Sequence, residues 1–414
     1  MSSPSSHPPA LGAMHRFEFI ALMAGMMSLT ALAIDSMLPA LDRIGDSLGV
    51  TNANHRQYIV SAFLLGFGVA QLIYGPLSDW LGRRKPVIFG ISIYVFAALA
   101  AMVAPNFETM LAMRALQGLG AAALRVITVS IVRDVYGGRR MAEAMSLIMM
   151  VFMIVPVIAP GTGQIIMLFG NWHWIFAFMA TGAAVVGVWM YVRLPETLPV
   201  EQRRPFNPKT IAAGFRIVLT NRLALCYTLA TTFIFGALFG FINSAQQIYI
   251  DIYELGDWFA AAFAAVAIFM AAASFINSRL VGRFGMRKLS HGSLLGFIAI
   301  NLVWLIAHFV GPQPMPFLMF LTLFALSMFQ FGWIGANFNS LAMEPLGHVA
   351  GTASSVLGFM STVGGALIGA IIGQSFNGTS VPMVAGFFVV SIIGLVFVLI
   401  AERGKLFQPH NPAV

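Results

Sequence analysis

Apolar stretches of about twenty residues recur along this chain from residue 17 onward, and we count twelve of them: 17–40, 55–76, 86–104, 107–132, 141–169, 173–194, 216–245, 258–277, 289–310, 315–343, 348–376 and 380–402. Runs of that length match helices that cross a bilayer. Lipid offers the backbone no hydrogen-bond partners, so a spanning segment has to satisfy its own, as a helix does. The longer runs imply tilt or protruding ends. Hydrophobic residues make up 59% of the chain and charged residues 9%. A soluble globular protein carries about 25% charged residues, so most of this chain faces lipid or other apolar helices. The expected fold class is an all-α membrane protein with twelve transmembrane helices.

The polar segments divide the chain. Residues 1–16 are rich in Ser and Pro and lack the basic-then-apolar layout of a secretory signal. They read as a disordered cytoplasmic tail. The longest polar connection, 193–215 (RLPETLPVEQRRPFNPKTIAAGF), carries four prolines and several charges, as a linker should. It separates six spans from six. The expected organisation is an N-terminal half over 17–194, a cytoplasmic linker over 195–215, a C-terminal half over 216–402 and a cytoplasmic tail over 403–414. The single cysteine, Cys226, excludes a disulfide within the chain and a cysteine-based metal site.

The net charge of +8 raises nucleic acid as a partner, but the placement of the basic residues argues otherwise. With loops assigned alternately to two sides, one side receives Arg83-Arg84-Lys85, then Arg133, Arg139 and Arg140, the linker arginines, and Arg283 with Arg287-Lys288. The other side receives only Arg43 and Arg56. That bias follows the positive-inside rule with both termini in the cytoplasm. No nucleic acid is expected. Anionic lipid headgroups are the expected neighbours of the basic loops.

The loop after span 2 and the loop after span 8 resemble each other. With Gly82 set against Gly285, Arg84-Lys85 falls on Arg287-Lys288 and Asp79 falls on Gly282. Two parallel six-helix repeats are one known plan for transporters.

Of the fifteen acidic side chains, only Asp35 sits well inside a long apolar run. A carboxylate in a bilayer is expensive, and it is read first as an ion or proton carrier. The alternative is an acid at a helix end reaching the interface, since Pro39 is close. Arg114 lies in span 4, which runs the opposite way. Counting from the span ends puts both residues roughly 7–11 Å below the outer surface, at 1.5 Å per residue. They can share one cavity. A carboxyl group's proton affinity follows its surroundings, so a change of conformation would let Asp35 take a proton on one side and release it on the other.

Several motifs then point to one family. Gly75-Pro-Leu-Ser-Asp79-Trp-Leu-Gly82-Arg83-Arg84-Lys85 resembles the signature loop of the major facilitator superfamily, and Arg114-Ala-Leu-Gln-Gly118 resembles its fourth-helix arginine motif. Ile34-Asp35-Ser-Met-Leu-Pro39, Val132-Arg133-Asp134-Val-Tyr136 and Ala350-Gly-Thr-Ala-Ser-Ser355 resemble the bicyclomycin/chloramphenicol-florfenicol resistance (Bcr/CflA) subfamily of twelve-helix drug:proton antiporters. The resemblance implies the major facilitator fold and proton-coupled multidrug efflux by alternating access. It also implies a loop of conformational-switch residues, Gly75, Asp79, Gly82, Arg83 and Arg84, latched to Arg133 or Asp134. The bland reading of that loop is a solvated turn with topogenic charge. The fifth-helix antiporter motif is represented by Ala159-Pro160-Gly161-Thr162-Gly163, with Ser146 and Val155 where upstream glycines are usual. Pro160 and Gly163 keep its core, and the missing glycines predict a looser helix contact.

The remaining candidates concern the substrate. Arg125 is eleven residues after Arg114, on the same helix face. It lines the inner mouth of a cavity or snorkels to the headgroups. Met149 and Met153 continue a stripe begun by Met141 and Met145, a pattern of flexible side chains that suits either helix packing or a re-packable binding surface. Gln330, Trp333 and Asn337 share one face of span 10, and Gly236, Gly240 and Asn243 one face of span 7. Each face lines a cavity or makes interhelical hydrogen bonds. His173 lies beside Trp172 and Trp174 at an interface, His308 near a span end and His348 in a loop, so histidine is the weaker proton carrier.

The function expected is proton-coupled efflux of small amphipathic compounds. A metabolite exporter or importer of the same fold is the alternative within the class. A membrane-embedded enzyme would need a nucleophile and a base clustered at a membrane face, and a channel would need a ring of charge. Neither is evident, so no catalytic residue, metal or cofactor is expected beyond the proton gradient. The expected partners are a small-molecule substrate, protons and membrane lipids, with the chain acting as a monomer.

Overall fold

The computed structural model describes residues 14–408, without the side chains of Arg139, Ala142, Thr210 and His348. Most of the tail expected over 1–16, and residues 409–414 of the second tail, lie outside the described residues. The described chain is helical, with no strand. Twelve of its helices are long and apolar enough to span a membrane. They are α1 (Arg16–Asp35), α2 (Tyr58–Leu81), α3 (Arg84–Met102), α4 (Phe107–Val135), α5 (Gly138–Phe169) and α6 (His173–Arg193), then α7 (Arg222–Gln246), α8 (Phe259–Phe284), α9 (Met286–Val310), α10 (Phe317–Met343), α11 (Ala350–Gln374) and α12 (Val381–Ala401). Phe96, Phe169, Val188 and Phe309 are among the large apolar side chains left on helix surfaces, where lipid takes the place of a protein partner.

The described helices form two compact units. Unit 1 runs to Gly49 and then covers Ala62–Lys209. Unit 2 takes Val50–Ser61 and everything from Thr210. The division therefore differs from the expected halves in one segment, because Val50–Ser61, the approach to α2 with its first turn, belongs with unit 2. Within unit 1 the most extensive packing is α3 on α4. Within unit 2 it is α7 on α11 and on α12.

Three boundaries moved, each for a local reason. The signature segment 75–85 is not a loop. α2 continues through Pro76 to Leu81, and α3 begins at Arg84. Proline is tolerated inside membrane helices where neighbours satisfy the freed carbonyl. Only Gly82 and Arg83 form the turn. Gly82 has φ +87°, and its counterpart Gly285 has φ +81°. That left-handed conformation is open to glycine at little steric penalty, which is why both copies of the repeat keep it. The linker is partly helical, with a helix over Pro208–Thr220. The seventh span starts at Arg222 rather than 216, because Asn221 caps it by accepting the Ala224 N–H at 3.0 Å.

The third concerns the first span. α1 ends at Asp35, and after a short break the span continues as a turn at Leu38–Ala40 and a helix at Leu41–Ser47. Pro39 has no N–H to offer the carbonyl four residues back, which is that of Asp35. The acid thus sits at a helix break inside the span.

Candidate functional site

Asp35 is 5% exposed, and among the described residues it makes no hydrogen bond or ion pair. The break beside it is pressed against α5. A Cβ added at Gly163 would lie 1.8 Å from the Ser36 carbonyl oxygen, so the two backbones touch there. Thr162 Oγ1 is 3.3 Å from Ser36 Oγ and donates to the Ala159 carbonyl at 2.7 Å. Upstream, Val155 and Ala159 pack on Ala31, with Leu32 and Phe152 alongside. The looser contact expected from the missing glycines is not found. Val155 fills the space on α1 with a side chain, while Gly163 keeps the close approach.

Arg114 is fully buried. Its guanidinium donates to the Ala33 carbonyl at 2.8 Å and to Gln117 Oε1 at 2.5 Å. Phe63 and Phe176 stack their rings near it, at 4.7 and 5.9 Å. Close helix crossings make this possible. A Cβ at Gly118 would lie 2.0 Å from the Phe63 carbonyl, and one at Gly66 2.0 Å from that of Ala115. The structure therefore brings Arg114 to α1 two residues from Asp35, but onto the backbone rather than the carboxyl group.

At the other end of unit 1, Arg83 is the centre of an ion-pair network. Its Nε donates to Asp134 Oδ2 at 2.7 Å, its Nη2 to Asp134 Oδ1 at 3.3 Å and its Nη1 to Asp79 at 2.5 Å and Ser78 Oγ at 2.9 Å. Burial works against its charge, and the bonds donated to Asp134 and Asp79 outweigh it and hold the group above the ordinary arginine range. Glu196, which the sequence reading placed only in the linker, caps α3 by accepting the N–H groups of Arg83 at 2.8 Å and Arg84 at 3.2 Å. A Cβ at Gly82 would meet that carboxylate at 2.5 Å. Arg84 donates to the Tyr191 carbonyl at 2.6 Å and stays out of the acid network. Arg133 is exposed and also outside it, so of those two residues it is Asp134 that pairs with Arg83. Gly75 lies within α2, where its carbonyl accepts from Ser78 Oγ at 2.9 Å.

Unit 2 holds a second charge cluster that the sequence reading missed. Arg287 donates to Glu402 Oε1 at 2.7 Å and Glu344 Oε2 at 3.0 Å. Tyr227 donates to the same Glu402 oxygen at 2.7 Å and lies 2.8 Å from His291 Nε2. Because the Phe407 N–H donates to His291 Nδ1 at 3.1 Å, the imidazole proton is assigned to Nε2. The repeat was the available signal. The acid lost at Gly282 is replaced by acids from the ends of α10 and α12, and Arg287 sits at the centre of this cluster as Arg83 does in unit 1.

Unit 2 also contains an amide clasp around the start of α2. Gln57 donates to Gln247 Oε1 and to the Gly373 carbonyl (3.1 Å). Gln247 donates to Asn54 Oδ1 at 2.7 Å. Asn54 donates to the Gln374 and Phe376 carbonyls at 3.0 and 2.9 Å, and Gln374 donates back to the Asn54 carbonyl at 2.6 Å. Asn243 is buried and accepts from Ser61 Oγ at 3.4 Å. Gly236 and Gly240 face Ile368 and Ile372 of α11 as close helix contacts. Trp333 donates to the Ala273 carbonyl at 2.7 Å, and Asn337 to Asn277 Oδ1 at 2.8 Å, tying α10 to α8. Gln330 is partly buried beside Gly296 of α9. Met149 and Met153 are partly buried on α5, as are Met141 and Met145.

The sequence profile of the Major Facilitator Superfamily matches residues 19–369. The uncharacterized MFS-type transporter YdgK of Bacillus subtilis (strain 168) is 33% identical over 380 residues, 91% of this chain and 93% of its own length. A bicyclomycin resistance protein homolog of Haemophilus influenzae is 28% identical, covering 89% of this chain and 92% of its own. The multidrug resistance protein MdtL of Klebsiella pneumoniae (strain 342) is 30% identical, covering 96% and 98%. Among solved structures, the xylose transporter XylE of E. coli superposes with a TM-score of 0.70 at 11% identity, over 93% of this chain and 96% of that one. The human organic anion transporter MFSD10 superposes with a TM-score of 0.62 at 19% identity, over 92% and 98%.

Proposed function

The chain belongs to the major facilitator superfamily, and from that premise we propose that it is a proton-driven exporter of the Bcr/CflA type. It carries small amphipathic drugs outward across the bacterial inner membrane by alternating access, as a monomer, with the proton gradient as its only energy source. Relatives named for bicyclomycin and multidrug resistance support this substrate class. The lysine and arginine bias supports a cytoplasmic location for both termini.

The observation that carries the reading is the setting of Asp35. A carboxyl group lies at a helix break inside the membrane, pressed against the antiporter-motif glycine of α5, with a buried arginine holding the turn before it. In the proposed cycle Asp35 takes a proton from the outer side. The protein then changes state, and Arg114 shifts its hold from the Ala33 carbonyl toward the carboxyl group. A cation there favours the charged form, so the proton leaves to the cytoplasm and substrate takes its place. The Arg83 latch biases the two states by closing in one and parting in the other.

The test is proton release by purified protein in detergent on addition of phenicols, bicyclomycin, sulfonamides and lipophilic cations, paired with uptake into inverted vesicles under an imposed pH gradient. Release of protons by a transported compound is the expected result. Transport that ignores the gradient for every compound would overturn the reading.

A further inference from the structure

Arg125 lies near the middle of α4, roughly 15 Å from the helix's C-terminal end at 1.5 Å per residue. Its guanidinium sits 5.9 Å from the Phe67 ring of α2 and 5.8 Å from the Phe152 ring of α5. Both rings belong to the middle stretches of their helices, so the side chain stays deep instead of snorkelling to the headgroups. It is only partly buried. Among the described residues it makes no ion pair and no hydrogen bond, and its guanidinium lies over the two ring faces. This differs from Arg114, whose donors are taken by Ala33 and Gln117.

A guanidinium carries five N–H donors in a planar fork. Rings attract its charge but accept none of those hydrogen bonds in the way oxygen does. At mid-membrane depth an ionisable side chain marks a substrate or ion path. The charges inside unit 1 leave an excess here. Asp35 carries at most one negative charge, against Arg114 and Arg125. Phe152 also packs against the cluster of Ala31, Val155 and Ala159, which includes the turn of α1 that leads to Asp35. The aromatic wall of Arg125 is therefore continuous with the helix that carries the acid.

We infer that Arg125, walled by Phe67 and Phe152, is the anchor for the substrate, and that it selects amphiphiles bearing one carboxylate-like anionic group on an aromatic body. The anionic group takes the guanidinium's fork, a bidentate geometry that arginine forms well with carboxylates. The aromatic body lies along the two rings. The inference rests on the transport reading above and narrows its substrate class away from lipophilic cations.

The experiment uses calorimetric binding to the full-length protein in nanodiscs with three probes: 2-naphthoate, its neutral isostere 2-naphthamide, and tetraphenylphosphonium. The acid is expected to bind about tenfold more tightly than the amide, with the cation weakest. Arg125→Gln should erase the acid-over-amide ratio, and Arg125→Lys should keep part of it. The wild-type comparison needs no variant, so a misfolded mutant does not rescue the idea. Equal binding of acid and amide, preference for the cation, absence of naphthoate binding, or an unchanged ratio in a folded Arg125→Gln protein each overturns it. Flux of the three probes under a proton gradient separates the two readings. Retained acid preference without any proton response leaves Arg125 assigned and removes the coupling. Proton-driven flux without acid preference does the reverse.

Discussion

Asp35→Asn keeps the side chain's size and polarity and removes its exchangeable proton. Gradient-driven efflux should be lost, while substrate binding survives and loses its dependence on pH. Arg83 is not expected to contribute to that profile. Its folded-state value is raised, so its stabilisation is present at all pH below the ordinary arginine range and fades only in strong alkali. Gradient-dependent efflux retained by Asp35→Asn would move the proton to another group. The latch offers a graded test at the same scale. Asp134 is 13% exposed and makes two bonds to Arg83, whereas Asp79 is 40% exposed. Breaking a buried pair costs about 3 kcal/mol, and an exposed one about 0.5 kcal/mol. Asp134→Asn should therefore lower thermal stability and turnover well beyond Asp79→Asn, as read by unfolding temperature and transport rate. Equal effects would show that burial does not set the strength of this latch.

Helices meet where glycines allow it, and Gly163 is the closest such contact near the acid. Gly163→Leu should force α5 away from Ser36, costing about 1–3 kcal/mol by overpacking and disabling transport. Val155→Ala should cost about 1 kcal/mol and leave coupling in place. If Gly163→Leu transports normally, the contact does not serve Asp35. At this scale the sequence was informative about existence and weak about ends. The twelve apolar runs became twelve long helices, because length and apolarity alone require it. The ends depended on single groups, such as the missing N–H of Pro39 and the cap from Asn221, which sum to little in a hydropathy count. The site was legible in the same uneven way. Asp35, Arg114 and the Arg83 latch announce themselves as charges in motifs. Glu196, His291 and Glu402 stand far along the chain from their partners, and Gln57 and Gln247 are ordinary amides until folding brings them together.

The whole chain is asymmetric in its chemistry. Unit 1 contains Asp35, Arg114 and Arg125 within its helices, and unit 2 relies there mainly on amides and hydroxyls. Reporters fused after Arg204 and near Asp251 should read cytoplasm and exterior respectively. The reverse pattern would invert the orientation. The clasp can be tested in a Cys226→Ser background carrying Ser61→Cys. Gln247→Leu removes the bonds to Gln57 and Asn54. At about 1 kcal/mol each, that shifts the population by a factor of up to about thirty. Maleimide should then label position 61 several-fold faster, and an unchanged rate would mean the clasp does not shield it. In the proposed orientation those amides lie at the end of the helices nearest a medium the cell does not regulate, where acidity and salinity swing with the surroundings. Carboxamides neither titrate nor gather counter-ions. In that orientation the bonding on the outer side is weatherproof, and the charged clusters of Arg83 and Arg287 are left to the buffered interior.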